Sequence, residues 1–173
     1  MKQRIFSSSL FMAAGIGLLT TGILAQTTPA AEPYKILTLT QTMGNGGIDY
    51  VYADNDGGRI YVPRGSQILA FDLGTGALVG SNTIPGGGRA GQGVAVDPKT
   101  HHGFSSSGPV RMFDTKTMEL IKDIPVEGRP DGILFEPMTE RVYVLSHSAP
   151  NVTVIDPKDG SIVSTIDLGG APE

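Results

Sequence analysis

The feature that most constrains this chain is a repeat of about 42 residues. Three segments end in an apolar pair followed by aspartate, at Asp72, Asp114 and Asp156, and consecutive aspartates lie 42 residues apart. Short runs rich in Val, Ile, Tyr and Phe flank each aspartate, and Gly, Pro, Asp and Asn separate these runs. Such a pattern is typical of short strands joined by tight turns. The fixed period indicates an architecture in which one supersecondary unit recurs.

Each unit contains four candidate strands. In the third unit these are "DGILFE" (131–136), "RVYV" (141–144), "VTVID" (152–156) and "IVSTIDL" (162–168). Consecutive short strands favour an antiparallel meander, and four strands repeated roughly every 40–45 residues are typical of a propeller blade. We therefore predict an all-β fold, a β-propeller of four-stranded antiparallel blades. Three blades are expected, at about residues 47–86, 90–128 and 129–170.

The three aspartates are predicted to be structural anchors of the repeat. An aspartate at this point accepts backbone N–H bonds across the turn that follows it. Gly76 and Gly160 stand where a positive φ is expected, because glycine adopts it without steric cost. Met118 occupies the same place in the second unit, and positive φ is unfavourable for such a side chain. We therefore expect a different turn there.

The amino-terminal segment has the pattern of a secretory signal peptide. Lys2 and Arg4 precede an uncharged apolar run over 10–24, and Ala25 is a small residue suited to cleavage. The prediction is a signal peptide over 1–25, a linker over 26–33 and a mature chain without a membrane span, in the periplasm or secreted. An uncleaved membrane anchor is the alternative, although the apolar run is shorter than the roughly 20 residues that a span needs.

The repeat resembles that of a known family. Residues 141–173, "RVYVLSHSAPNVTVIDPKDGSIVSTIDLGGAPE", are similar to the repeat of YVTN-family β-propellers, and "RIYVPRGSQILAFDLGTGALV" (59–79) is a second copy. The likeness extends over about 34–173 and is weaker in the second unit, where "HGFSSS" replaces the tyrosine-bearing strand. It implies an exported, YncE-like propeller, most often of seven blades. It implies little about biochemical activity.

Ring closure makes the length of the chain informative. Closure protects the first and last blades of a propeller, and seven blades of about 42 residues need roughly 300 residues. We therefore expect residues 34–173 to be part of a larger propeller, with a strand over 34–42 completing its last blade. A three-bladed domain that dimerises is the alternative.

Four polar residues open the innermost strands and are predicted to lie at the mouth of the central channel: Asp49, Gln92, Asp131 and Glu173. Carboxylate and amide oxygens suit a hard divalent cation such as calcium, and a charged cleft also attracts a polar ligand. The alternative, which we favour, is that they bond neighbouring backbone groups and close the blades. No resident cofactor and no catalytic residue is predicted.

Several other chemistries are disfavoured. The chain has no cysteine, which excludes disulfides and thiolate chemistry. Neither a GxSxG elbow nor a P-loop is present. His101 and His102 are adjacent and point to opposite faces of a strand, so they do not favour a metal site. The formal net charge is −4, or −6 without residues 1–25, and the arginines are scattered among acids, which makes nucleic acid an unlikely partner.

These observations favour an exported binding or interaction module without evident catalytic machinery. Its partner would be a protein or a small molecule, bound by the loops at 64–66, 105–109 and 146–151, because variable loops on a rigid scaffold carry specificity. Two alternatives remain open. One is a metal-dependent, lactonase-like hydrolase that uses the channel-mouth carboxylates. The other is an accessory protein of a periplasmic redox system.

Overall fold

A computed structural model of the protein describes residues 34–36, 39, 45–83 and 88–172. The chain divides into two units, Met1–Lys35 and Ile36–Glu173, and every strand of the described residues belongs to the second. Of the first unit, Tyr34 and Lys35 are described, and both are exposed. The predicted signal peptide, the linker and Glu173 lie outside the described residues. Of the strand predicted over 34–42, the described residues are 34–36 and 39, and none of these is in a strand.

The described residues form three four-stranded antiparallel sheets, each in chain order. This confirms the predicted all-β fold of propeller-type blades, and each sheet is called a blade below. The first blade comprises β1 (Tyr52–Asp54), β2 (Arg59–Arg64), β3 (Gln67–Asp72) and β4 (Leu78–Thr83). The second comprises β5 (Val94–Asp97), β6 (His102–Ser105), β7 (Val110–Asp114) and β8 (Leu120–Ile124). The third comprises β9 (Pro130–Glu136), β10 (Arg141–Ser146), β11 (Asn151–Ile155) and β12 (Ile162–Asp167). No helix among these residues is long and apolar enough to cross a membrane.

The blades pack face to face through two buried apolar clusters. The first, between the first and second blades, contains Tyr61, Ile68, Ala70, Ala90, Val94, Val96, Phe113 and Met118. The second, between the second and third blades, contains Phe104, Val110, Met112, Ile124, Val142, Val144 and Ile155. The innermost strands β1, β5 and β9 are consecutive neighbours. Each blade is stabilised by the apolar area that it buries against the next, at about 25 cal/mol per Å².

The second repeat departs from the others because its β6 carries Gly103 where they carry Ile or Val. Gly103 pairs with Phe113 on β7, and a Cβ at Gly103 would lie 2.3 Å from the Phe113 ring. The ring therefore covers the glycine. It also approaches Tyr61 of the first blade, with the ring centroids 6.0 Å apart and the planes inclined at 59°, an arrangement that aromatic pairs favour. The small residue on β6 lets one aromatic side chain join two blades.

Polar contacts at the start of the second strand of a blade add to this packing. Arg59 begins β2 and donates to the carbonyl oxygen of Thr115 in the second blade. His102 begins β6, and its Nδ1 lies 2.7 Å from the carbonyl oxygen of Pro157 in the third blade. A carbonyl oxygen only accepts, so Nδ1 carries the proton in this contact. Each of these carbonyl oxygens belongs to the residue directly after an anchoring aspartate. The same contact between neighbouring blades therefore recurs with a different donor side chain.

The turns after the three aspartates share one backbone geometry. The N–H four residues after each aspartate donates to that aspartate's carbonyl oxygen, at 2.8 Å from Gly76, 2.8 Å from Met118 and 2.9 Å from Gly160. The φ angles of these three residues are 71°, 65° and 70°. Each carboxylate also accepts backbone N–H bonds inside its turn, as from Lys116 and Thr117, each 2.8 Å from Asp114 Oδ1.

The expectation of a different turn at Met118 is wrong, because burial offsets the strain. The Met118 side chain is 3% exposed within the first cluster. A Cβ at Gly80 would lie 2.8 Å from Met118 Cγ, so Gly80 leaves the space that the methionine fills. Asn82 Nδ2 donates to the Met118 carbonyl oxygen at 2.6 Å. Burying such a side chain contributes about 1.5–3 kcal/mol, which offsets roughly 1–2 kcal/mol of left-handed backbone strain.

Met118→Ala is expected to lower the free energy of unfolding by about 2–5 kcal/mol, because it removes buried contacts and keeps the left-handed φ. Met118→Gly is expected to be no less stable than Met118→Ala, because glycine relieves about 1 kcal/mol or more of strain. Urea unfolding followed by circular dichroism measures both. Met138→Ala is the matched control, since Met138 lies in a turn and is 92% exposed. A glycine variant clearly less stable than the alanine variant would contradict the strain argument.

The N–H groups of Thr117 and Lys116 hold the pKa of Asp114 below its usual value. A carboxyl whose pKa is lowered by folding stabilises the protein above its unfolded pKa, and this contribution is lost as the pH falls through the folded pKa. Asp114→Asn should therefore be less stable than the unaltered protein at pH 7, with the difference shrinking below about pH 3.9. Urea midpoints at pH 7 and at about pH 3 test this. The charge-matched control is Asp56→Asn, at an exposed turn position, and an equal loss at both pH values for Asp114→Asn would refute the linkage.

Candidate functional site

The antiparallel order places two sets of loops at opposite ends of the blades. The turns after the anchoring aspartates lie at one end, with the turns that join the first and second strands of each blade. The turns between second and third strands lie at the other end, together with the connections from one blade to the next. We call this the loop end. The loops predicted to bind a partner, at 64–66, 105–109 and 146–151, all lie there.

A cavity of about 290 Å³ opens at the loop end, and we call it the arginine cavity. It is lined by two successive blade-to-blade connections and by the 105–109 loop. The lining residues are Arg89, Gly91, Gln92, Ser106, Ser107, Gly108, Arg129 and Pro130. One of the predicted loops and one of the predicted channel-mouth residues, Gln92, thus belong to a single site.

Close backbone packing builds the wall of this cavity. Gly91 has a φ of 88°, and a Cβ placed there would lie 2.4 Å from Ser106 C and 2.4 Å from Ser107 N. Ser106 Oγ accepts hydrogen bonds from the N–H groups of Gln92 at 3.1 Å and Gly93 at 2.9 Å. The Ser106 N–H donates to the Gly93 carbonyl oxygen at 3.0 Å. The connection and the loop are therefore held against each other, which fixes the position of the groups that face the cavity.

The charges at the arginine cavity are of one sign. Arg89 and Arg129 are both exposed, and no aspartate or glutamate is among the lining residues. Arg89 Nη2 donates to Gln92 Oε1 at 3.4 Å. Among the described residues, the Arg129 guanidinium has no hydrogen-bond or ion-pair partner. The cavity therefore offers cationic donors that the protein leaves largely unneutralised.

Two further arginines, Arg111 and Arg64, have structural partners. Arg111 is buried between blades, with its Nε 3.5 Å from Asp123 Oδ1 and its Nη1 3.5 Å from Asn82 Oδ1. Arg64 donates from Nε to the carbonyl oxygen of Gly46 at 3.4 Å. Arg111 and Arg64 thus have structural roles, whereas Arg89 and Arg129 line one cavity.

The channel-mouth residues differ in their surroundings. Asp49 is exposed and precedes β1, whereas Asp131 lies on β9 with Oδ2 3.7 Å from His147 Nδ1. Gln92 is linked to the first blade by its carbonyl oxygen, which accepts from Tyr50 N at 3.0 Å. Glu173 lies outside the described residues. Within the described part of the chain, no three His, Asp or Glu side chains are grouped so that they could hold a metal ion. A shared ligand site for these four residues stays a prediction.

A second cavity, of about 320 Å³, lies between the residues that precede β1, the start of β5 and the strands β9 and β10. Its lining is mostly apolar and consists of Tyr50, Val51, Gly93, Val94, Gly132, Ile133, Leu134 and Leu145. Such a lining provides apolar contact area but few groups to orient a ligand. The arginine cavity is therefore the better candidate for specific recognition.

The pair Arg89 and Arg129 was not predicted as a site, although the sequence carries a signal for it. Both arginines follow a glycine and precede the innermost strand of a blade, in "GRAG" (88–91) and "GRPD" (128–131). Alignment of the repeat units places them at neighbouring connections. Only the packing of the 105–109 loop between those connections turns two similar positions into one cavity.

Comparison with known proteins supports the fold. The chain is similar to the solved structure of Kuenenia stuttgartiensis hydrazine synthase, with a TM-score of 0.64 and 20% sequence identity over 80% of this chain. The match covers 41% of that protein's chain, so the present chain spans well under half of its length. At this identity the likeness shows a shared fold alone. No protein-family model and no curated protein matches the sequence.

Gly91→Ala is expected to destabilise the protein by about 1–3 kcal/mol, because the new methyl group meets the Ser106–Ser107 peptide and the backbone keeps a positive φ. Thermal or urea unfolding measures the loss. Gly47→Ala is the control, since a methyl group at Gly47 would have nothing within 4 Å beyond its chain neighbours, and its effect should stay within about 0.5 kcal/mol. Equal stability of the two variants would show that the connection and the loop are not tightly packed.

Proposed function

We propose that this protein is an exported, noncatalytic binding module whose ligand occupies the arginine cavity at the loop end. One observation carries the proposal: two blade-to-blade connections and a loop, each held by a rigid sheet, converge on a cavity with unneutralised donors. Binding sites on repeat scaffolds are typically built this way, with sheets supplying rigidity and loops supplying specificity.

The chemistry of the lining favours binding over turnover. The lining contains guanidinium groups, hydroxyls and an amide, but no histidine, carboxylate or lysine that would act as a general base. Ser107 Oγ donates to the Pro109 carbonyl oxygen at 2.7 Å, and Ser106 Oγ accepts two backbone N–H bonds. Neither hydroxyl has the adjacent base that activates a serine nucleophile.

Export is part of the proposal and rests on the sequence. The positive residues Lys2 and Arg4 and the apolar run over 10–24 support secretion to the periplasm or the exterior. The similarity of 141–173 to YVTN-type repeats agrees with this location. The absence of cysteine means that no disulfide of this chain depends on the redox state of the compartment.

The test is a thermal-shift series on the full chain with probes of three charge classes: phosphate and malonate as anions, spermidine as a cation, and glucose as a neutral molecule. A ligand present at ten times its Kd raises the free energy of unfolding by about 1.4 kcal/mol. We expect a saturable rise in Tm with one class and no turnover of lactones with or without calcium. Calcium-dependent lactone hydrolysis, or no shift with any class, would overturn the proposal. Mass spectrometry of the exported protein should show loss of residues 1–25.

A further inference from the structure

The arginine cavity combines properties that small oxyanion sites require. A guanidinium presents several N–H donors in a planar fork that matches a carboxylate or phosphate group. Arg89 and Arg129 come from successive connections, so a ligand between them would contact the segments that lead into β5 of the second blade and β9 of the third blade. The cavity of about 290 Å³ is near the lower end, roughly 300 Å³, of ordinary small-ligand pockets.

We propose that the arginine cavity binds a small dianion that carries carboxylate or phosphate groups, with Arg89 and Arg129 as its charged ligands. This inference rests on the proposed binding function and adds the chemical class of the ligand. It assigns a role to two guanidinium groups with few polar contacts: among the described residues, that of Arg129 has no hydrogen-bond or ion-pair partner, and that of Arg89 donates to Gln92 Oε1 alone.

A neutral donor, the Gln92 amide, adds to the site. The Gln92 amide has its oxygen occupied by Arg89 Nη2, which leaves its NH₂ group as the available donor. Ser106 Oγ accepts hydrogen bonds from two N–H groups and donates a long hydrogen bond, of 3.5 Å, to the Gly93 carbonyl oxygen. Ser106 is itself buried, at 1% exposure, so it holds the cavity wall in place. The Gln92 NH₂ group is therefore the neutral donor that accompanies the two guanidinium groups, and the lining contains no competing carboxylate.

The electrostatic setting selects for small anions. The chain as a whole carries a formal charge of −4, so the two arginines form a local positive site on an acidic protein. The net negative charge of the chain opposes a long polyanion more than a small dianion. Because both arginines are exposed, their attraction is screened by salt and the affinity should fall as ionic strength rises.

The proposal is tested by isothermal titration calorimetry on the full protein. Inorganic phosphate and malonate are titrated separately. We expect saturable one-to-one binding of at least one probe in about 50 mM salt, weakened at about 200 mM. Phosphate as the stronger probe assigns a phosphoryl group, and malonate as the stronger probe assigns a pair of carboxylates. The proposal is overturned if neither probe shows saturable binding. In that case, a Tm shift by glucose or spermidine leaves the proposed binding function standing.

Variants locate the binding. Arg89→Gln and Arg129→Gln should each weaken it about tenfold, the loss expected for one partly exposed, charge-assisted donor group. Arg129→Lys keeps the charge but loses the planar fork of donors. Its affinity for the probe should lie between those of Arg129→Gln and the unaltered protein. Lys116→Gln removes the same charge at the opposite end of the blades and should change the affinity less than twofold. Equal weakening by Lys116→Gln, or none by either arginine variant at unchanged Tm, would refute the site.

Discussion

The Met118 side chain lies between the first and second blades in the space that Gly80 leaves open, and Phe113 spans the same joint to reach Tyr61. Without cysteine or an identified metal, such contacts between sheet faces are what hold one blade against the next. The connections that carry Arg89 and Arg129 begin and end on those sheets. The width of the arginine cavity therefore depends on apolar packing that is not itself part of the cavity.

The two ends of the blades divide stability and recognition between them. At one end, the same aspartate turn recurs three times with matching hydrogen bonds and φ angles, and neighbouring blades are joined there by Arg59 and His102. At the loop end, the corresponding segments differ in length and composition. Repetition suits a structural joint, because each blade meets the same neighbour, whereas variation suits a surface that selects a ligand.

Much of the fold was readable from the repeat. The four strands predicted in the third unit agree with β9 to β12 to within one or two residues at each end, because alternation and turn residues are local signals. Met118 was misjudged because local propensity disfavours its φ, while the compensating space at Gly80 lies 38 positions away. The arginine cavity was missed because sequence spacing says nothing about which connections a loop packs between.

The strand order, the turn positions and the blade period follow from the amino-acid sequence alone, since each depends on residues within a few positions of one another. The pairing of Arg89 with Arg129 across one cavity, the separate burial of Arg111 and the tolerance of a left-handed methionine depend on packing between blades. Such contacts join residues tens of positions apart, and their energies come from the buried area and shape of both surfaces together. That is why the scaffold was predictable and the candidate binding site emerged only with the folded chain.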